Sequence, residues 1–167
     1  MIKEHLINNK IVIMPSDTVW GIFGVISKDN QKIINKIKEA PEDKVISIMF
    51  ANIDQAKNYV DERYWDKLEL LRESKTFILE SSNLTKELLG YDTIGVRIVP
   101  KFEELIKETG PLFTTSANVH GEETPEEYEQ INKIFRDKVA YIQEGEQISN
   151  KPSEITSYLN GEEKRIR

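Results

Sequence analysis

Short apolar runs alternate along this chain with polar stretches of helical period, and that rhythm sets the first expectations. Ile11-Val12-Ile13-Met14, closed by Pro15, has the pattern of a buried strand entering a loop. Thr18 to Val25 is again β-branched and aromatic, interrupted by Gly21 and Gly24. From Ser27 to Lys38 the period changes. Ile33, Ile34 and Ile37 recur between lysines and amides, which predicts an amphipathic helix that Pro41 stops. Val45 to Phe50 reads as a third strand, and Asn52 as the N-cap of a helix carrying Ile53, Ala56 and Val60. Leu68, Leu70 and Leu71 predict another helix, and Thr76 to Leu79 and Thr93 to Val99 two more strands. Phe102, Leu105 and Ile106 mark a helix, after which Pro111 to Thr115 leads into a polar loop. Thr124-Pro125-Glu126-Glu127 offers a threonine cap, a proline at the first helical position and a glutamate three residues after the cap. Tyr128, Ile131 and Phe135 form the buried stripe of the helix expected to follow. Strands at Val139 to Ile142 and near Ile155 to Tyr158 precede a basic stretch, Lys164-Arg165-Ile166-Arg167. No internal repeat or linker breaks this order. Strands alternating with helices predict α/β layers around one twisted sheet, in a single domain spanning 1–167.

Composition narrows the chemistry. With 38% hydrophobic and 31% charged residues, a globular domain is expected. The absence of cysteine excludes disulfides, thiolate catalysis and cysteine-ligated zinc, and it suits a cytoplasmic location. His5 and His120 are the only histidines, too few for a multi-histidine metal site. Neither a signal peptide nor a membrane span is expected, since the first residues mix charges with apolar groups and no apolar run is long enough. A net charge of −6 argues against broad, sequence-blind nucleic-acid binding, so any bound nucleotide must be held by a few well-placed cations.

Three polar segments close predicted elements, two of them at apolar strands, where α/β proteins tend to place their sites, and one at the end of the amphipathic helix. They are Pro15-Ser16-Asp17-Thr18-Val19-Trp20-Gly21, Lys38-Glu39-Ala40-Pro41-Glu42-Asp43-Lys44, and Thr114-Thr115-Ser116-Ala117-Asn118 followed by Gly121. Hydroxyls and an amide can orient a small polar ligand, and lysines can neutralise phosphates. Arg97, inside an otherwise apolar strand, needs a partner, and a ligand carboxylate would suit its fork. Each feature also has a plainer reading. Ser, Thr and Asn serve turns, lysines near a helix end are usually solvated, and the arginine can pair with an internal carboxylate. Trp20 can be core, and the C-terminal basic residues can be a frayed tail.

Taken together and in order, these segments resemble the YrdC/TsaC-type threonylcarbamoyl-AMP synthase family. Pro15 to Gly21 is similar to the family's Pro-Thr-Asp/Glu-Thr-Val-Tyr-Gly segment, and Thr93-Ile94-Gly95-Val96-Arg97 to its Thr/Ser-x-x-Val-Arg strand. Thr115-Ser116-Ala117-Asn118 resembles its Ser/Thr-Ser-Ala-Asn loop, Pro152-Ser153-Glu154-Ile155 its Ser-Thr-Ile element, and Gly161 to Arg165 its closing segment. Two departures stand out. Ala40 occupies the arginine position of the family's Lys-x-Arg-Pro, with Lys44 as its compensation, and a Trp-Pro-Gly-Pro segment is missing around Ser74-Lys75-Thr76.

The resemblance implies a twisted, open mixed α/β sheet with helices packed outside and a concave ligand cavity. It implies L-threonylcarbamoyladenylate synthesis from ATP, L-threonine and bicarbonate, with pyrophosphate released. Thr18, Arg97, Ser116 and Ser153 would hold threonine. Lys38, Lys44, Thr93, Asn118 and Arg165 would surround ATP, with Lys38 and Lys44 stabilising charge during attack. Mg2+ would arrive with ATP, without dedicated protein ligands. The product would pass to a tRNA threonylcarbamoyltransferase that modifies position 37, with direct RNA contact an open point. No extra C-terminal domain is expected. A domain of the same fold that binds RNA or a nucleotide without synthesis is the alternative. A fragment of a carbamoyltransferase is a third reading, disfavoured because such relatives place this domain inside much longer chains.

Overall fold

A computed structural model describes residues 1–147, 149 and 151–167. Its strands are β1 (Val12–Pro15), β2 (Trp20–Val25), β3 (Ile48–Phe50), β4 (Lys75–Glu80), β5 (Thr93–Ile98), β6 (Leu112–Ser116), β7 (Tyr141–Ile142), β8 (Glu154–Ser157) and β9 (Lys164–Arg165). They form one mixed sheet in the order β7-β1-β2-β6-β3-β5-β4-β8-β9. β1–β7, β3–β5 and β4–β8 pair in parallel, and the other neighbours are antiparallel. The helices are α1 (Ile2–Ile7), α2 (Lys28–Ile37), α3 (Ile53–Lys57), α4 (Trp65–Leu68), α5 (Asn83–Leu89), α6 (Glu103–Thr109) and α7 (Tyr128–Phe135).

The apolar runs are continuous because both faces of the central strands are covered. Successive side chains on a strand point to opposite faces. Ile13, Ile48, Phe50 and Phe113 accordingly join one buried cluster with Ile34 of α2 and Ile131 and Phe135 of α7. Val12, Met14, Met49 and Leu112 join the other, with Leu6 of α1 and Ile106 of α6. Fully burying a side chain of this size stabilises the fold by about 1.5–3 kcal/mol. Two clusters on two faces are therefore what fixes the sheet.

Most of the predicted elements appear, several with altered bounds. Ser27 and Asn52 cap α2 and α3, each accepting a backbone N–H three residues on. The Thr124 cap is corrected. α7 starts at Tyr128 with Glu127 as its N-cap, and Gln130 Oε1 accepts from the Glu127 N–H. Trp20 Nε1 donates to Glu126 O at 3.1 Å, which anchors the preceding segment outside the helix. The strand expected from Val45 is only Ile48–Phe50, and Val45 is exposed. Pro111 to Thr115 does not simply enter a loop, since Leu112–Ser116 pairs with β2 and β3 near the sheet centre. The basic C-terminal stretch is not frayed, because Lys164–Arg165 pairs with β8. α1 and α5 had no counterpart in the hydrophobic pattern. α5 runs from a Ser82 cap to Gly90 at φ 73°, a left-handed stop that suits glycine.

Candidate functional site

β5 turns Ile94 and Val96 into the first cluster, so Gly95 and Arg97 share the opposite face. Register places Arg97 beside Met49 of β3. Glycine is required at the intervening position, because a Cβ on Gly95 would come within 2.5 Å of Ser47 Oγ. On this side of the sheet lies a cavity of about 230 Å³, lined by Thr76 and Arg97 from the strands, by Ser47 just before β3 and by the polar segments singled out above.

The β1–β2 loop forms one wall. Ser16 Oγ donates to Val19 O at 2.6 Å and accepts from the Thr18 N–H at 3.0 Å, so the turn is set by its own serine. That turn buries Asp17, whose Oδ2 accepts from Arg97 Nη2 at 2.6 Å and from the Ser74 N–H at 2.7 Å. Both side chains of the pair are nearly inaccessible, with Arg97 6% and Asp17 4% exposed. Asp17 Oδ1 is buried without a partner among the described residues. The plainer reading of Arg97, a pairing with an internal carboxylate, is thus realised while the guanidinium still lines the cavity.

A second wall is polar and layered. Thr76 and Ser153 hydroxyls meet at 2.6 Å, and Arg167 donates from Nε to Ser153 O at 2.9 Å. Burial and the nearby Arg97 charge pull the Arg167 guanidinium below its ordinary pKa. At the β6 end, Lys38 Nζ donates to Ser116 O at 2.5 Å and to Asn118 Oδ1 at 2.8 Å. Lys38 is 4% exposed, and burial, with a smaller contribution from the Lys44 charge, lowers its pKa to about 8. Lys44 Nζ lies 3.1 Å from His120 Nδ1, and the His120 N–H donates to Lys38 O at 2.7 Å, so the two polar loops are tied together.

The structure therefore divides the expected residues. Thr18, Arg97, Ser116 and Ser153 all line one cavity, together with Lys44. Lys38 and Asn118 sit behind the Ser116 wall and hold it through the bonds above. Thr93 and Arg165 are not brought to the cavity. Thr93 begins β5, four residues and about 13 Å along the strand from Arg97. Arg165 is 70% exposed and pairs with Glu154 at 3.3 Å. Arg167, two residues on, is the arginine that enters. Asp17, Thr76, His120 and Arg167 had been given no role from sequence. The signal for Asp17 was its place at the Asp/Glu position of the Pro15–Gly21 segment, and nothing in a run of basic residues separates Arg167 from Arg165. Among the described residues no group of three or more His, Asp or Glu is placed to hold a metal ion. No helix among them is long and apolar enough to cross a membrane.

Comparison with known proteins gives a consistent result. A putative threonylcarbamoyl-AMP synthase of Methanocaldococcus jannaschii is 32% identical over 165 residues, covering 92% of this chain and 77% of that protein. The threonylcarbamoyl-AMP synthase of Pseudoalteromonas translucida is 28% identical, over 93% and 90%. Among solved structures, P. abyssi Sua5 complexed with L-threonine superimposes with a TM-score of 0.84 at 22% identity, over 99% of this chain. The chain spans about half of that protein, 52% of its length. E. coli YciO also gives 0.84 at 22% identity, over 99% and 86%. At such identities the structural likeness speaks for the fold. The family model Sua5/YciO/YrdC, described as "Telomere recombination", matches residues 4–167, and the chain belongs to that family.

Proposed function

We propose that the protein is an L-threonylcarbamoyladenylate synthase. The observation that carries this reading is the convergence of Thr18, Arg97, Ser116 and Ser153 on one cavity of about 230 Å³, a size suited to an amino acid beside part of a nucleotide. Relatives named threonylcarbamoyl-AMP synthase and a Sua5 structure holding L-threonine support it.

In this reading Arg97 takes the threonine carboxylate, and the hydroxyls of Thr18, Ser116 and Ser153 orient the amine and side chain. The amine adds to bicarbonate with loss of water, giving a carbamate. A carbamate oxygen then forms a bond to the α-phosphorus of ATP as the bond to pyrophosphate breaks. Such a displacement depends on positioning and charge neutralisation rather than on a protein nucleophile. Lys44 and Arg167 are the cations lining the cavity beside Arg97, and we assign them to the phosphates. Lys38 and Asn118 act by holding the Ser116 loop. Thr93 and Arg165, which the family resemblance puts near ATP, act at most from outside the cavity. Lysine and arginine donors suit phosphate oxygens rather than a cation, so Mg2+ would ride on the triphosphate, held by phosphate oxygens and water. The adenylate would pass to a tRNA threonylcarbamoyltransferase, and a cytoplasmic location would suit that transfer.

The test is pyrophosphate release from ATP. It should require threonine and bicarbonate together, and ATP binding without that dual requirement overturns the reading. That outcome would favour a nucleotide- or RNA-binding domain of this fold, for which Ala40 and the outward-facing Arg165 speak. His120→Ala removes the partner of Lys44. It should raise KM for ATP about three- to tenfold, the value of one hydrogen bond, with kcat nearly unchanged in steady-state assays.

A further inference from the structure

The cavity contains two arginines in different electrostatic states. Arg97 is matched by the Asp17 carboxylate at 2.6 Å, and both groups are buried. Arg167 is held by Ser153 oxygens, and no carboxylate is within salt-bridge distance of it among the described residues. Lys44, the third cation of the lining, has the neutral-capable His120 as its neighbour. The Arg97 guanidinium is therefore compensated by a carboxylate, whereas, among the described residues, the nearby Arg167 and Lys44 are not.

We propose that Asp17 is a specificity-determining residue that neutralises the Arg97 guanidinium, so that this group accepts a zwitterionic amino acid and refuses phosphate groups. The proposal rests on the synthase reading for its biological meaning, though not for its test. An uncompensated buried guanidinium attracts any small anion, and a polyphosphate most strongly. A carboxylate on one edge of the guanidinium cancels the net charge while leaving other N–H groups free. Arg97 Nη2 is committed to Asp17 and Nε reaches Lys75 O at 3.4 Å, whereas Nη1 has no protein acceptor among the described residues. A ligand carboxylate can thus be bound through the Arg97 fork by a zwitterion that adds no net charge. A phosphate would bring its negative charge next to Asp17. The triphosphate is directed instead to Lys44 and Arg167. The acid is also fixed by more than the ion pair, because the Ser74 N–H donates to the same oxygen.

Asp17→Asn separates charge from shape. Its amide oxygen can take the position of Oδ2 and keep both donors, and its amide nitrogen can occupy the place of the unpartnered Oδ1. Titration calorimetry on the full chain with L-threonine and with inorganic phosphate gives the readout. The ratio of the two affinities should shift at least about tenfold toward phosphate in Asp17→Asn, and Asp17→Glu should restore much of the native ratio. A ratio within about threefold of wild type, in a variant that melts cooperatively, overturns the proposal. Should Asp17→Asn fail to fold, competition on the wild type decides. Millimolar phosphate should leave threonine binding unchanged, and displacement of threonine by phosphate refutes the idea. A wild type that binds no threonine at all would instead overturn the synthase reading, while phosphate binding by Asp17→Asn would still judge the role of Asp17.

Discussion

Arg97→Ala should lower kcat/KM for threonine by about two to three orders of magnitude, and ATP affinity should change by less than about threefold. The asymmetry follows from placement. Arg97 faces the cavity from near the C-terminal end of β5, next to the β1–β2 loop with Thr18, while Lys44 and Arg167 are contributed by other elements. Losing the guanidinium removes the charge-assisted bonds that a threonine carboxylate would accept. It also leaves Asp17 buried with only the Ser74 N–H. Breaking one half of a buried pair costs about 3–5 kcal/mol, which for a domain of this size lowers the melting temperature by roughly 6–20 °C. Kinetics must therefore be measured well below the variant's transition. Threonine saturation curves and equilibrium ATP binding on the same preparation give the answer. An equal loss in both would make Arg97 a structural residue.

The threonine half of this site was legible because Thr18, Arg97, Ser116 and Ser153 fall in segments that resemble the family's, whereas position along the strands alone left each open to a plainer reading. Period-2 alternation puts Arg97 opposite Ile94 and Val96, and only a cavity or a buried acid could receive it. The nucleotide half was less legible for a physical reason. Lys38 and Lys44 are six residues apart in one loop, and no periodicity says which ammonium is drawn inward. Lys38 is drawn in by carbonyl and amide oxygens of a segment 78–80 residues away, while Lys44 remains exposed. Arg165 and Arg167 differ only in how a two-residue strand ends against β8. The same limit explains the misplaced cap of α7. Thr124-Pro125 is a sound local start signal, but the long-range bond from Trp20 to Glu126 O overrides it. α5 escaped because its stripe is thin. Leu84 and Leu88 are exposed, and only Thr85 and Leu89 are buried.

Lys38→Met should lower activity and remove a pH dependence from stability. The ammonium fixes Ser116 O and Asn118 Oδ1, and through its own carbonyl Lys38 receives the His120 N–H. Removing it frees the wall that carries Ser116, and a displacement of about 1 Å at a reacting centre can cost 10²-fold in rate. Stability follows a different rule. In the folded protein Lys38 titrates near 8, whereas an unfolded lysine titrates near about 10.4. Between those values the unfolded chain binds more protons than the folded one, so stability rises as pH increases across that window. Below pH 8 the buried charge opposes folding by a constant amount, about 3 kcal/mol at 1.36 kcal/mol per unit. Methionine carries no proton, so the variant lacks this slope. Tyr91, pushed up to about 12 by burial, imposes an opposite trend above about pH 10, but equally on both proteins. The difference between wild-type and variant unfolding free energies, from denaturant titrations at pH 7 to 10.5, isolates Lys38. It should move toward the wild type by up to about 3 kcal/mol as pH rises. A difference that stays flat means Lys38 is not held against its own solvation. If the expected slope appears together with the rate loss, the protein keeps a charged lysine against its desolvation cost, because the ammonium holds the Ser116 wall.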